Sequence, residues 1–287
     1  MLIRPARRPD LVVRYGAEPD QVADVHVPPE DARLAEGTGP RAMFTIFLHG
    51  GFWRSEYGRE HTAPLAEALA EAGFVVCAPE YRRSGQRGGG WPGTFDDVAA
   101  AVDRLPELVA RATGELVDER RYVLAGHSAG GHLALWAASR HRLPAGSPWR
   151  PGVAGAGAAA GSLAGVVALA PVSDLTACYR LGLGEDAAGA LMGGGPAQVP
   201  ERYAAADPAR LLPAGGGGRV VLVHGDADDR VPCSMSVDYA ARARAAGDMR
   251  TECSVLRGAG HFAVIDPLSE AWPEVLAAFS DAGRGAL

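Results

Sequence analysis

Apolar residues along this chain fall into short runs of β-forming residues that alternate with longer stretches of helical spacing. Ala42-Met43-Phe44-Thr45-Ile46-Phe47-Leu48 is almost continuously apolar, as a strand covered on both faces should be. Similar runs predict strands at Phe74 to Ala78, Tyr122 to Ala125, Gly165 to Ala170 and Arg219 to Val223, with an opening pair at Leu11 to Tyr15 and Val22 to Val27. Thr251 to Leu256 alternates more and suits a sheet edge. Helical spacing covers His61 to Ala72 (stopped by Gly73), Thr94 to Ala112, Ala129 to Ser139, Ser234 to Ala246 and Leu268 to Phe279. Thr94 is placed to cap its helix, with Asp96 and Asp97 favourable in the first turn, and Pro273 is tolerable near the start of the last one. Ala129 to Ser139 has almost no polar face, which predicts a buried helix.

This alternation predicts an α/β fold, a mostly parallel sheet with helices on both faces. Two stretches break the rhythm. Gly152 to Leu163 is a Gly/Ala-rich insert that reads as a surface loop. Leu175 to Pro213 is longer than a crossover needs and reads as a small cap inserted over the sheet's C-terminal edge. No repeat or linker divides the 287 residues, so one domain is expected.

Composition narrows the function classes. The net charge is -6 with interspersed signs, which argues against nucleic acid and against a charged membrane surface. No apolar run reaches the ~18 residues of a membrane span. The N-terminus is basic but lacks the apolar core of a signal peptide, so the expected location is the cytoplasm. Cys77, Cys178, Cys233 and Cys253 are scattered without metal-ligand spacing and read as reduced thiols. No cofactor or metal is expected. The expected partner is a small-molecule substrate, and a homodimer is left open.

The candidate chemistry starts at Gly126-His127-Ser128-Ala129-Gly130, a G-x-S-x-G string. The string alone is weak, since chance supplies about 0.2 matches in a chain this rich in glycine. Its context is informative: a strand ends at Ala125 and a buried helix begins after Ser128. A sharp strand-to-helix turn projects a serine hydroxyl above the sheet, with the helix N-terminus behind it to meet developing negative charge. A plain serine N-cap is the alternative. Upstream, His49-Gly50-Gly51-Phe52-Trp53 follows a strand and can turn backbone N–H groups inward. Ala129 N–H is the natural first oxyanion donor. Gly51 is the expected second, with Gly50 or Phe52 assisting.

A serine needs a base, and the base needs an orienting group. Of eight histidines, His261 in the glycine-rich loop Gly258-Ala259-Gly260-His261-Phe262 is the best placed. His127 is expected to point away from the serine, His132 to lie in the core and His224 to bond locally, while His26, His61 and His141 fall in edge or surface contexts. Asp226, Asp228 and Asp229 compete as the acid in the segment after the penultimate strand.

With these motifs the chain resembles the α/β-hydrolase superfamily over nearly its whole length. His224-Gly225-x-x-Asp228-x-x-Val231-Pro232 is similar to a superfamily pattern whose aspartate is the triad acid, which favours Asp228 and gives the order Ser128, Asp228, His261. His49-Gly50-Gly51-x-Trp53 and the longer elbow through Ala134 resemble the kynurenine formamidases, also called arylformamidases. That resemblance implies hydrolysis of N-formyl-L-kynurenine to L-kynurenine and formate through a formyl-enzyme, without a cofactor. Trp53, Phe52 and Tyr81 would then line an aromatic slot, and Arg54, Arg82 or Arg180 would meet the substrate carboxylate. A carboxylesterase for short acyl esters is the rival with the same triad, and a non-catalytic binding protein on this fold is the reading from another class.

Overall fold

A computed structural model describes residues 4–35, 42–114, 116–151, 162–215 and 218–284. In chain order the strands are β1 (Leu11–Arg14), β2 (Val22–His26), β3 (Ala42–Leu48), β4 (Phe74–Pro79), β5 (Val117–His127), β6 (Ser162–Leu169), β7 (Arg219–Gly225) and β8 (Thr251–Leu256). They form one sheet in the order β1-β2-β4-β3-β5-β6-β7-β8. β1–β2 and β2–β4 pair antiparallel and every later pair is parallel. β3, β4 and β7 are buried on both faces, which is why they read as unbroken apolar runs, whereas β8 at the sheet edge is partly exposed.

The helices are α1 (Glu30–Ala35), α2 (Ala63–Glu71), α3 (Gly93–Ala112), α4 (Ala129–Ala138), α5 (Leu175–Arg180), α6 (Ala187–Met192), α7 (Pro200–Ala206), α8 (Ser234–Ala245) and α9 (Trp272–Arg284). Strand residues alternate between two cores. Phe44, Ile46 and Leu48 face α3, α4 and α8 with Phe95, Trp136 and Tyr239, whereas Phe47, Val123 and Val167 face α2 and α9 with Leu69 and Phe279. α4 is buried along its whole length.

Several boundaries differ from the sequence pattern. α9 starts at Trp272 because Asp266 draws the chain into a turn: its side chain accepts from Leu268 N, leaving Leu268 75% exposed. Thr94 lies inside α3, where its hydroxyl accepts from Gly90 N and donates to the Arg82 carbonyl. Asp97 pairs with Arg82 at 2.7 Å. Of the Gly/Ala insert, Ser162 and Leu163 open β6, and 152–161 lie outside the described residues. Segment 175–213 holds α5, α6, α7 and a one-turn helix, and it is stitched to α4: Trp136 Nε1 donates to Ala205 O at 2.9 Å and His132 Nε2 to Ala206 O at 3.0 Å.

The turn from β5 into α4 is set by close approach of main chains. A methyl group on Gly130 would lie 2.0 Å from the Leu48 carbonyl oxygen, and one on Gly126 would lie 2.3 Å from the Gly130 carbonyl oxygen. A side chain at Gly130 must push α4 off the end of β3, and one at Gly126 must push it off the end of β5. Gly130→Ala and Gly126→Ala are therefore expected to cost more than about 3 kcal/mol each, at the severe end of point mutations. Gly146→Ala, with nothing within 4 Å of the added methyl, serves as the control and should leave the melting temperature unchanged. Thermal unfolding of the three variants checks this, and a wild-type Tm for Gly130→Ala would contradict the packing argument.

Candidate active site

β3, β5, β7 and β8 are parallel, so the segments that follow them leave the same edge of the sheet. Ser128 stands between β5 and α4 at φ 55°, ψ -117°, a left-handed conformation that a non-glycine residue holds only under tertiary constraint. Its N–H donates to Leu169 O at 2.8 Å, which ties the turn to β6. Phe52 and Trp53 also have positive φ, 50° and 56°. The 49–53 loop lies directly on the serine: a methyl on Gly50 would sit 3.1 Å from Ser128 Cβ. The N–H groups of Gly51 and Ala129 meet no protein acceptor among the described residues, so both remain available to a ligand.

The loops after β7 and β8 are laced together. Asp226 N donates to Leu256 O and Ala227 N to Ala259 O, while the Asp226 carboxylate accepts from Gly258 N at 2.6 Å. This brings His261 to Asp228: His261 Nδ1 donates to Asp228 Oδ2 at 2.6 Å, leaving Nε2 as the ring's acceptor. The Asp228 carboxylate is fully buried. Its other oxygen accepts from Arg230 N at 2.8 Å and Val231 N at 2.9 Å, and His224 Nε2 approaches Oδ2 at 3.1 Å. Burial alone would raise its pKa. The bonds from His224 and His261 outweigh that and hold the carboxyl far below the usual range. Of the three aspartates that competed in the sequence, Asp228 is the one bonded to His261, Asp226 fastens the loop, and Asp229 pairs with Arg230 at 3.5 Å.

His127, expected to point away from the serine, is buried against His261. Its Nε2 donates to the His261 carbonyl at 3.0 Å and its ring packs 4.6 Å from the His261 ring. Burial, with His261 beside it, holds its imidazolium form far below the ordinary value.

Ser128, His127 and His261 share a cavity of about 150 Å³ with Gly51, Phe52, Tyr57, His61, Arg230 and Phe262. Phe52 is thus in the wall, but Trp53, Tyr81 and Arg54 are not. Trp53 is 1% exposed and packs edge-on to His132. Tyr81 lies under the loop, stacked 4.3 Å from His49 and donating to His49 O at 2.7 Å. Arg54 bonds Gly184 O and reaches Glu185 in the inserted segment at 3.3 Å, and Arg82 is held by Asp97. Arg180 is also outside the wall. The cavity's arginine is Arg230, which lies within the acid segment, where it pairs with Asp229 at 3.5 Å. Tyr57 and His61 were missed, because their approach to Ser128 depends on how the loop after β3 folds back. Among the described residues, no cluster of His, Cys, Asp or Glu could hold a metal ion.

The 49–53 loop rests on a buried carboxylate. Glu80 accepts from His49 Nε2 at 2.7 Å, Tyr81 N at 3.1 Å and Arg59 N at 3.1 Å, with Arg83 at 3.2 Å. The His49 Nδ1 donates in turn to Gly50 O at 2.8 Å. Chemically, this assembly can do acyl transfer: an activatable serine, a base oriented by an ionised acid, and free N–H groups for an oxyanion.

The BD-FAE family model matches residues 31–242, about three quarters of the chain. The chain belongs to the BD-FAE family. It is similar to Esterase LipQ of Mycobacterium tuberculosis (strain ATCC 25618 / H37Rv), 28% identical over 223 residues, which are 78% of this chain and 51% of LipQ. The BD-FAE chain therefore spans about half the length of that curated relative. Among solved structures it resembles a truncated carbohydrate esterase from gut microbiota, with TM-score 0.75 and 18% identity over 97% of this chain and all of the other. Thermogutta terrifontis esterase 2 phosphorylated by paraoxon gives TM-score 0.68 and 21% identity over 93% and 90% of the two chains. The shared feature is the α/β-hydrolase fold. No described helix of this BD-FAE protein is long and apolar enough to cross a membrane.

Glu80 gives the site a pH signature. Burial would raise its pKa, but His49 and Arg83 pull it from the ordinary 4.5 down to about 2. A carboxylate depressed in the fold stabilises it fully above about pH 4.5, and that contribution drains away as the pH falls toward 2. The contribution is about 3 kcal/mol. Urea unfolding at pH 6, 4 and 3 should show wild type losing its advantage over Glu80→Gln across that window. A constant difference would remove Glu80 as the buttress.

Proposed function

We propose that this protein is a carboxylesterase for esters of short acyl chains, with Ser128, His261 and Asp228 as its triad. The single observation that carries the reading is the cavity: Ser128 and a His261 already bonded to an ionised Asp228 open together into a space of about 150 Å³. A cavity of roughly that size holds about one benzene ring. It suits a small acyl group, with the alcohol half projecting out.

In this scheme Ser128 Oγ attacks the ester carbonyl as His261 Nε2 takes its proton. The imidazolium is stabilised by Asp228, and the oxyanion by the N–H groups of Gly51 and Ala129. Collapse expels the alkoxide, which leaves as the alcohol with the proton from His261. Water, deprotonated by the same ring, then hydrolyses the acyl-enzyme and restores the serine. The names of the similar proteins, an esterase, a carbohydrate esterase and a second esterase, point the same way.

The formylkynurenine reading has less support. It rested mainly on Trp53, and that ring is buried outside the cavity wall. Two of the arginines offered for the amino-acid carboxylate are already occupied, Arg54 by Gly184 and Glu185 and Arg82 by Asp97. Arg230 lines the cavity and is itself paired with Asp229 at 3.5 Å.

The expected order of kcat/KM is p-nitrophenyl acetate and butyrate well above both p-nitrophenyl palmitate and N-formyl-L-kynurenine. A clear preference for the formamide would overturn the esterase reading, and Ser128→Ala retaining the ester activity would overturn the mechanism. Asp228 and Asp226 separate in the same assay. Asp228→Asn should lower kcat by about 10⁴ because the base loses its tautomer and its counter-charge. Asp226→Asn keeps an oxygen for Gly258 N and should lower kcat by no more than about tenfold, since the bond it preserves is structural.

A further inference from the structure

The cavity contains a polar atom that the hydrolytic scheme leaves unused. His61 lies in a one-turn helix, Arg59–Thr62, on the segment that runs on from the oxyanion loop. It is 8% exposed and lines the same cavity as Ser128 and His261. Its Nδ1 stands 2.7 Å from the Gly58 carbonyl oxygen. A carbonyl only accepts, so Nδ1 carries a proton. Burial, reinforced by the neighbouring His49, pushes the imidazolium form down to about 4, so the ring is neutral in ordinary conditions. Nε2 is then a fixed lone pair. It meets no donor among the described residues, yet it is not sealed inside the protein, as the orphaned Nδ1 atoms of His127 and His132 are.

The surroundings make this acceptor selective. Gly51, Phe52 and Phe262 give the cavity an apolar lining, and Tyr57 adds a hydroxyl that also meets no protein partner among the described residues. In such a setting an unmatched acceptor is unfavourable, and a ligand that supplies a donor is favoured over its apolar isostere. We propose that His61 is a specificity-determining residue whose Nε2 accepts a hydrogen bond from a hydroxyl or N–H group carried by the ester substrate, on the part that lies against the 51–62 wall. This rests on the esterase reading and names a chemical requirement within it.

Two isosteric ester pairs test the inference, each replacing a hydroxyl by a methyl. They are 2-hydroxyethyl acetate against propyl acetate for the alcohol half, and ethyl 3-hydroxybutyrate against ethyl 3-methylbutyrate for the acyl half, with acid release followed at constant pH. Wild type should favour the hydroxyl member of at least one pair by about tenfold or more in kcat/KM. His61→Leu should bring that ratio close to one, and His61→Gln, which keeps an acceptor oxygen, should restore part of it. The ratio cancels any general loss of activity. Labelling of Ser128 by paraoxon, read by mass spectrometry, identifies folded variants, and His61→Phe replaces the leucine variant where that one does not fold. Ratios near one in both pairs for wild type, or an undiminished ratio in His61→Leu, would overturn the proposal. If the plain esters turn over without preference, the esterase reading stands and this inference falls. If no ester turns over, both fall.

Discussion

The site depends on a contact between main chains. The first turn of α4 lies on the carbonyls that end β3 and on the end of β5, with only the hydrogens of Gly130 in the first gap and of Gly126 in the second. That approach bends the chain at Ser128, aims the buried helix at the cavity and sets the 49–53 loop against the serine. It requires the absence of side chains at fixed points, and makes no demand on which apolar residues fill the cores around it. Cores tolerate extensive repacking at constant volume and pattern. Chains with about one residue in five in common can therefore share this fold over nearly their whole length, as this protein and Thermogutta terrifontis esterase 2 do at 21% identity and TM-score 0.68.

Buried carboxylates show how local donors decide charge. Glu80 and Asp228 are both sequestered, and both stay ionised because imidazoles, a guanidinium or backbone N–H groups converge on them. Asp207, in the inserted segment, is equally buried and accepts from Leu175 N, Thr176 N and the Thr176 hydroxyl. There burial and the nearby Asp174 prevail, and its pKa rises to about 6. The difference is the cation: Arg210 lies 3.7 Å away with its side chain 43% exposed, so water screens it.

Most strands and the elbow were legible because they follow from periodicity: strands covered on both faces read as apolar runs, and α4, buried all round, shows no polar stripe. What sequence could not supply was the fold of irregular segments. His61 is flanked by Arg59 and Glu60, which suggests a surface position, yet the ring is drawn inward by its bond to Gly58 and its contact with His49. Trp53 and Tyr81 have the aromatic character of a substrate slot, but a left-handed turn and a hydrogen bond to His49 O put them behind the loop. The choice among Asp226, Asp228 and Asp229 needed resemblance, because carboxylates within four residues of chain differ only in which loop atoms they meet. The start of α9 was misread because Asp266 competes for the backbone just ahead of it.

One ring connects two parts of the molecule. Phe52 is in the cavity wall, and it also packs on Gly184, where even a methyl group would come within 2.7 Å of it. The inserted segment therefore touches the cavity through a side chain that belongs to the loop, while contributing none of the lining itself. Insertions and deletions between β6 and β7 can then change the volume of the cavity by leaning on Phe52, with Ser128, His261 and the N–H groups of Gly51 and Ala129 untouched. The size of the cavity and the residues around Ser128 are set by separate stretches of chain, so one can diverge while the other stands still.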